Sequence, residues 1–361
     1  MALFLQSISL FQFKNYDSQH YRFDGRIIGI CGRNGAGKTN LLDAIHYLCF
    51  TKSYFGRSDA LHVHHGQQGF RIEGHFNRNG KDEKAVCILR ETGKKEFLLN
   101  DEAYTRFSKH IGHYPCVVIA PDDVDLIIGG SEERRKFVDT ILSQLDAAYL
   151  QALINYTRIL QQRNSFLRSF SDGFGKDLSV LDILDEQLAR EGDIVFQKRA
   201  RFLTELLPVA ARLYRQISQQ QEPIDLVYDS ELHQSGLAAL LKVTRQKDMV
   251  VLRTSAGIHR DDLLFLLGTQ TFKSIASQGQ RKSLLFALKL AEMEILKREK
   301  GFSPLLLLDD VFEKLDEERI TNLLASVCSD EETQIFITDT NCKRLEESLQ
   351  KIGHQPQLIH L

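Results

Sequence analysis

Apolar and polar positions alternate over the opening stretch FLQSISLFQFKNY (Phe4–Tyr16), and period two predicts a half-buried strand. RIIGIC is apolar throughout, as a fully buried strand is. TNLLDAIHYLCF then carries Leu41, Leu42, Ile45, Leu48 and Cys49 at helical spacing, which predicts a helix. FRIEGHF, AVCILR, EFLLN and CVVIA read as further strands. After Pro121 the pattern changes. From Ser131 to about Leu241 it is mostly helical, broken by SDGFGKD (Ser171–Asp177), without a sustained heptad. Strand and helix alternation then returns with DLLFLLG, QRKSLLFALKLAEMEILKRE, PLLLLDD and QIFITDT; the helix places Leu284, Leu288, Ala291 and Ile295 on one face. The expectation is an α/β lobe built from both chain ends, residues 1–125 and 250–361, with a mostly helical lobe, 126–249, inserted between them.

Composition changes this picture little. The 361 residues carry a net charge of −2, so no global basic field announces a nucleic-acid partner, although a local patch is compatible with that balance. Six cysteines without a C-x-x-C pair read as reduced thiols of a cytoplasmic protein. The N-terminus lacks a basic segment ahead of an apolar one, so it does not read as a signal peptide. No apolar run approaches the roughly 18 residues of a membrane span.

Three stretches carry chemistry. GRNGAGKT (Gly32–Thr39) matches G-x-x-x-x-G-K-[ST], between an apolar strand and a helix. Gly35 and Gly37 let backbone N–H groups face phosphate oxygens. Arg33, Asn34, Ala36 and Asn40 complete the cradle, Lys38 supplies a point charge to the β/γ-phosphates, and Thr39 is a Mg²⁺ ligand. PLLLLDD is a buried strand ending in two acids. Asp309 is placed to hold Mg²⁺ and Asp310 to polarise an attacking water; a plain helix-capping Asp is the alternative. SQGQ (Ser277–Gln280) opens an amphipathic helix, where Ser277 and the Gly279 N–H can grip an anion or simply cap the helix.

SQGQ resembles the signature loop of ATP-binding-cassette ATPases. In that class the loop closes over a nucleotide held by a partner's phosphate loop, so the resemblance implies that Ser277, Gly279 and Gln280 act in trans. Its place far downstream of Lys38, beyond the helical stretch, is similar to the chromosome-maintenance and DNA-repair branch. PDDVDLIIGGSEERRKFVD (Pro121–Asp139) and GIHRDD (Gly257–Asp262), with FKNY and GKTNLLDAI, resemble the RecF family over nearly the whole chain. Ser131 and Ile258 stand where that family has Pro, which implies a modest local change.

The resemblance implies an ATP·Mg²⁺-dependent homodimer that clamps duplex DNA near single-strand/double-strand junctions, with a RecR-type mediator as partner and no membrane. Asp310, with Lys38, would support slow hydrolysis. A nucleotide-gated binding module without meaningful hydrolysis is the alternative. Glu313 departs from the usual loop after the acids, which keeps Leu315 and Asp316; Asp339 or Thr340 stands where a transporter has its switch His. HVHH (His62–His65) lacks further ligands at metal spacing and reads as a surface loop. Arg158, Arg163, Arg168, Lys198, Arg199 and Arg201, with Lys136, either track phosphates or form solvated helix faces; Arg134 and Arg135 read as structural, contacting the ATPase lobe.

Overall fold

The computed structural model describes residues 2–56, 58–169, 178–218, 224–311 and 317–361. Glu313, Leu315 and Asp316, and the break at Ser171–Asp177, lie outside them. In chain order the strands are β1 (Leu3–Phe13), β2 (Tyr16–Arg22), β3 (Ile27–Cys31), β4 (Phe70–Arg78), β5 (Lys81–Leu89), β6 (Lys95–Leu99), β7 (Glu102–Ala103), β8 (Cys116–Ile119), β9 (Ile224–Asp229), β10 (Asp262–Leu267), β11 (Gln270–Thr271), β12 (Leu305–Leu308), β13 (Ile335–Asp339) and β14 (Gln357–His360). The helices are α1 (Lys38–Phe50), α2 (Asp125–Ile128), α3 (Ser131–Leu145), α4 (Ala147–Arg168), α5 (Ser179–Ser218), α6 (Leu237–Val251), α7 (Phe272–Ile275), α8 (Gln278–Lys300), α9 (Glu317–Cys328) and α10 (Cys342–Lys351).

The chain divides into two compact units, one of Met1–Asp123 and Lys282–Leu361 with Gln216–Gln219, the other of Val124–Arg215 and Gln220–Arg281. In the first, a five-stranded parallel sheet has the order β14-β3-β13-β12-β8. Its strands β3, β8, β12 and β13 are buried at every position, as expected where both faces of a parallel sheet are covered. Against this, β1 and β4 alternate within an antiparallel sheet ordered β2-β1-β4-β5-β6-β7, and the buried faces of both sheets share one apolar cluster with α1. β2 was not legible as a strand: its residues YDSQHYR are largely exposed, and β1 is the strand that offers it a ladder.

Under α8 the first unit buries charge. Lys289 Nζ lies 3.4 Å from Tyr54 Oη, 3.6 Å from Asp123 and 3.9 Å from Glu292, and Tyr54 donates to Asp123. Burial opposes the Lys289 charge, but Asp123, Tyr54 and Glu292 hold its pKa well above the usual value. Burial pushes Glu292 up to about 7 despite Lys289, and its Oε2 has no hydrogen-bond partner. A carboxylate raised in the folded state contributes stability that is present below the unfolded pKa and lost as pH rises through 7. The chain is therefore expected to lose up to about 3 kcal/mol between pH 4 and pH 8 through this group. Glu292→Gln, which keeps the neutral shape, should flatten that slope in denaturant melts at the two pH values; an unchanged slope would assign the titration elsewhere.

The second unit combines helices with a three-stranded sheet, β11-β10-β9. The second boundary, expected at 249/250, falls at 281/282, because β10 pairs along its whole length with β9 and its leading acids bind arginines of α3 and α5. Buried Arg199 binds Asp139 through Nε and Nη2, both at 3.0 Å, and the Ile258 carbonyl and Asp261 through Nη1 at 2.9 and 3.2 Å. Arg134 makes a two-pronged pair with Asp262 at 2.6 and 3.0 Å, and Arg135 donates to the Asp261 carbonyl. Arg163, fully buried, binds Asp185, Asp248 and Thr254 at 2.6–2.9 Å. Arg134, Arg163 and Arg199 thus hold the unit's interior and do not offer their guanidinium groups to phosphates. Arg134 and Arg135 are structural and reach Asp262 and Asp261, which lie in the segment expected to belong to the ATPase lobe and which the structure groups with the second unit. Ser131 occupies the first turn of α3, where Pro is also tolerated, and Ile258 is buried in a 3₁₀ turn (Ile258–Arg260).

Candidate nucleotide-binding site

β3 ends at Cys31 and α1 begins at Lys38, so the glycine-rich turn occupies the C-terminal edge of the parallel sheet, where open α/β sheets bind ligands. Gly35 and Gly37 have φ of 83° and 112°, in the left-handed region that favours glycine. At Gly37 even space forbids a side chain: a Cβ would lie 2.5 Å from Asn15 Nδ2. Arg33, Asn34 and Gly35 form the exposed rim of the turn, while Lys38 is buried. Its Nζ donates to the carbonyls of Gly32 and Arg33 at 3.0 and 3.3 Å. The lysine is thus folded back over the cradle and holds it shaped around a cation.

Thr39 and Asp309 meet here from opposite parts of the chain. Thr39 Oγ1 lies 3.0 and 2.9 Å from the two Asp309 oxygens. Thr338 on β13 donates to Asp309 Oδ1 at 2.8 Å and accepts the Asp310 N–H at 2.8 Å. Burial raises the Asp309 pKa, against the hydrogen bonds from Thr338 and Thr39. A buried carboxylate beside a hydroxyl is an all-oxygen donor set of the kind that suits Mg²⁺, so these residues fit that ion. Asp310 follows with φ of 44°, a left-handed conformation uncommon outside glycine, which turns the chain sharply after β12.

Several residues that brace the cradle carried no signal of their role. Asn15 Nδ2 donates to the Ala36 carbonyl at 3.0 Å, Tyr16 Oη donates to the Gly37 carbonyl at 2.9 Å, and Asn40 Nδ2 donates to Asn15 Oδ1 at 2.7 Å. Lys14 pairs with buried Asp43 of α1 at 2.6 Å. FKNY is therefore a strut under the phosphate turn. Asp339, considered for the switch position, is buried and bound by Arg344 at 2.5 and 3.0 Å and by the Asn341 N–H at 2.9 Å. Thr340 Oγ1 reaches it at 3.4 Å.

In the second unit, Ser277 precedes α8 and is exposed. Its Oγ accepts the Gln280 N–H at 3.2 Å, and Gln280 Oε1 accepts the Ser277 N–H at 2.7 Å, a reciprocal capping box around Gly279. The cap uses Ser277 Oγ as an acceptor, which leaves its O–H proton for another oxygen. His62 departs from the surface-loop expectation: its ring is buried between Phe13 and Tyr47, at centroid distances of 6.3 and 5.7 Å. His64 Nδ1 contacts the Lys14 carbonyl at 2.8 Å, and His65 is exposed.

Comparison with known proteins agrees with this arrangement. Residues 4–357 match the family described as the RecF/RecN/SMC N terminal domain. The DNA replication and repair protein RecF of Flavobacterium johnsoniae is 42% identical over 355 residues, covering 98% of this chain and 99% of that protein. A solved structure of the recombination mediator protein RecF-ATPrS in the RecFOR pathway superposes with a TM-score of 0.90 at 28% identity, covering 100% of this chain and 96% of that one. The Smc head domain of Pyrococcus furiosus shares the fold, at a TM-score of 0.55 and 14% identity, covering 99% of this chain and 93% of that one. No described helix is long and apolar enough to cross a membrane.

Proposed function

The chain belongs to the RecF/RecN/SMC N-terminal-domain family and, within it, to the RecF proteins, and from that premise we propose that it uses ATP to close two copies around DNA. The observation that carries this reading is the convergence of Lys38, Thr39 and Asp309 at the end of one parallel sheet. ATP phosphates would draw Lys38 Nζ away from the Gly32 and Arg33 carbonyls, exchanging neutral acceptors for anionic ones. Thr39 and Asp309 would hold Mg²⁺, which when bound supplies positive charge to the β- and γ-phosphates. Asp310 takes a proton from the attacking water. It is one methylene shorter than the Glu of transporter ATPases, and about 1.4 kcal/mol of lost positioning is tenfold in rate. Slow turnover suits a clamp whose nucleotide acts as a timer.

Ser277, Gly279 and Gln280 of a second copy complete the site, with the Ser277 O–H directed at the γ-phosphate. The closed dimer then grips duplex DNA near single-strand/double-strand junctions, and a RecR-type mediator reads that state to support recombinase loading. Asp310→Asn tests the sequence of events. It is expected to keep ATP affinity, to lower single-turnover phosphate release by at least about a hundredfold, and to accumulate an ATP-bound dimer by light scattering. A monomeric Asp310→Asn protein in ATP removes the sandwich. Failure of the unaltered chain to release phosphate, with or without DNA, would leave a nucleotide-gated binding module instead.

A further inference from the structure

We infer that Thr338 is a positioning residue for both acids of the site: its one hydroxyl aims the Asp309 carboxylate and holds the backbone turn from which Asp310 projects. β13 runs Ile335, Phe336, Ile337 and then Thr338, all buried, as the central strand of the parallel sheet. Valine has nearly the same shape and would take a polar group out of a fully buried position. A hydroxyl kept there needs partners, and its partners are the two acids.

A hydroxyl has one proton to give and lone pairs to receive with. Thr338 Oγ1 lies 2.8 Å from Asp309 Oδ1 and 3.4 Å from Asp310 Oδ1, so the proton goes to Asp309. A lone pair takes the Asp310 N–H at 2.8 Å. The hydroxyl is itself held in place. Thr338 is in register with Ile30 of β3, and β12 flanks the strand on its other side, with Leu308 beside Ile337. A β-branched side chain on such a backbone has little freedom at χ1. Asp309 is still tied to β8, its N–H donating to the Ile119 carbonyl at 2.9 Å. Asp310 then turns out of the strand at φ of 44°, and its N–H bond to Thr338 fastens that uncommon conformation to the sheet.

The consequence for the reaction rests on the nucleotide reading above. Asp309 is gripped by hydroxyls from two sides, Thr39 at 3.0 and 2.9 Å and Thr338 at 2.8 Å, which keeps its carboxylate facing Thr39. Asp310 leaves the sheet in a direction set by its own backbone, so Thr338 fixes where its carboxylate can meet a water. Lys38 bonds the Gly32 and Arg33 carbonyls and takes no part in this link. Loss of the hydroxyl therefore spares the grip on phosphate and displaces the base, and a displacement of about 1 Å costs about a hundredfold in rate.

The test compares Thr338→Val, which keeps the shape, with Thr338→Ser, which keeps the hydroxyl. Without nucleotide, hydrogen exchange read by mass spectrometry should find the Asp310 amide protected in the unaltered chain and in Thr338→Ser, and exchanging at least about tenfold faster in Thr338→Val. With ATP and Mg²⁺, Thr338→Val should bind ATP within about threefold of the unaltered chain and release phosphate at least about thirtyfold more slowly in a single turnover. Thr338→Ser should recover most of that rate. If Thr338→Val does not fold, Thr338→Ala against Thr338→Ser makes the same comparison, because that pair differs only in the hydroxyl. A rate lost equally with and without the hydroxyl, in step with the melting temperatures, overturns the positioning role and leaves a satisfied core group. Faster exchange at Asp310 with an unchanged rate overturns the link to catalysis. An unaltered chain that releases no phosphate overturns the nucleotide reading and the rate effect with it, while the exchange result still decides whether Thr338 holds Asp310.

Discussion

Lys38→Met is expected to bind ATP at least about a hundredfold more weakly while remaining folded. Methionine follows the lysine stem closely in length and flexibility, so packing at the start of α1 is retained. What is removed is the ammonium that bridges the Gly32 and Arg33 carbonyls at 3.0 and 3.3 Å. Those carbonyls belong to a turn whose rim is exposed, so water replaces the lost donor in the empty protein. With ATP bound no such substitution suffices, because a desolvated phosphate charge loses its counter-charge. Losses of 2–5 kcal/mol are typical of truncating one partner of a buried charge pair, and about 3 kcal/mol is a factor above one hundred. Calorimetric titration with ATP, beside a melt without nucleotide, separates binding from folding. ATP-dependent DNA binding should disappear in the same variant and leave a salt-sensitive background. Affinity within threefold of the unaltered chain would mean that Lys38 is only a structural clasp of its own turn.

The elements that could be read from the sequence are those whose signal is local. β1, β4, β8, β12 and β13 announce themselves by alternation or by unbroken apolar runs, and the turn before α1 by its glycines. β2, β9 and β14 do not, for a common reason. Each is short or polar along much of its length and is a strand because a neighbour offers it a ladder: β1 for β2, β10 for β9, β3 for β14. Such pairing is tertiary information. The same holds at the site. Lys38, Thr39, Asp309 and Asp310 lie in recognisable motifs, whereas Thr338, which links both acids, and Asn15 and Tyr16, which support the turn, act across the fold.

Charge was the least legible property. Arg163 and Arg199 are spaced among acids in a way that solvated helix faces also show, yet each is buried between two carboxylates, as Arg134, read as structural, is buried against Asp262. Side chains of that kind stay buried only when paired. The pairing explains why Pro121–Asp139 and Gly257–Asp262, distant in sequence, both read as family marks: Asp139 and Asp261 share Arg199, and Arg134 holds Asp262. Their role in the second unit is to fix β10 and the turn before it against α3 and α5.

Ser277→Arg is expected to bind ATP within about threefold of the unaltered chain, yet to lose ATP-dependent dimerisation and at least about a hundredfold of hydrolysis, the loss typical of removing one preorganised donor in an active site. The separation follows from which residues each step uses. Lys38, Thr39 and Asp309 lie in the first unit and do not rely on Ser277. Ser277 is exposed and only caps its own helix, so its replacement costs about 1 kcal/mol of local stability. Arginine there removes the cap and puts bulk and charge where, in the proposed dimer, a partner's γ-phosphate would approach. Ser277→Asn, which preserves capping, controls for the helix start. Mixing supplies the sharper reading. The Ser277→Arg chain has an intact phosphate turn, and the Lys38→Met chain an intact SQGQ segment, so a mixed dimer assembles one complete site from the two. Phosphate release should therefore return when the two inactive proteins are combined, and should peak near equal amounts. Normal hydrolysis by Ser277→Arg alone would show that each copy works by itself.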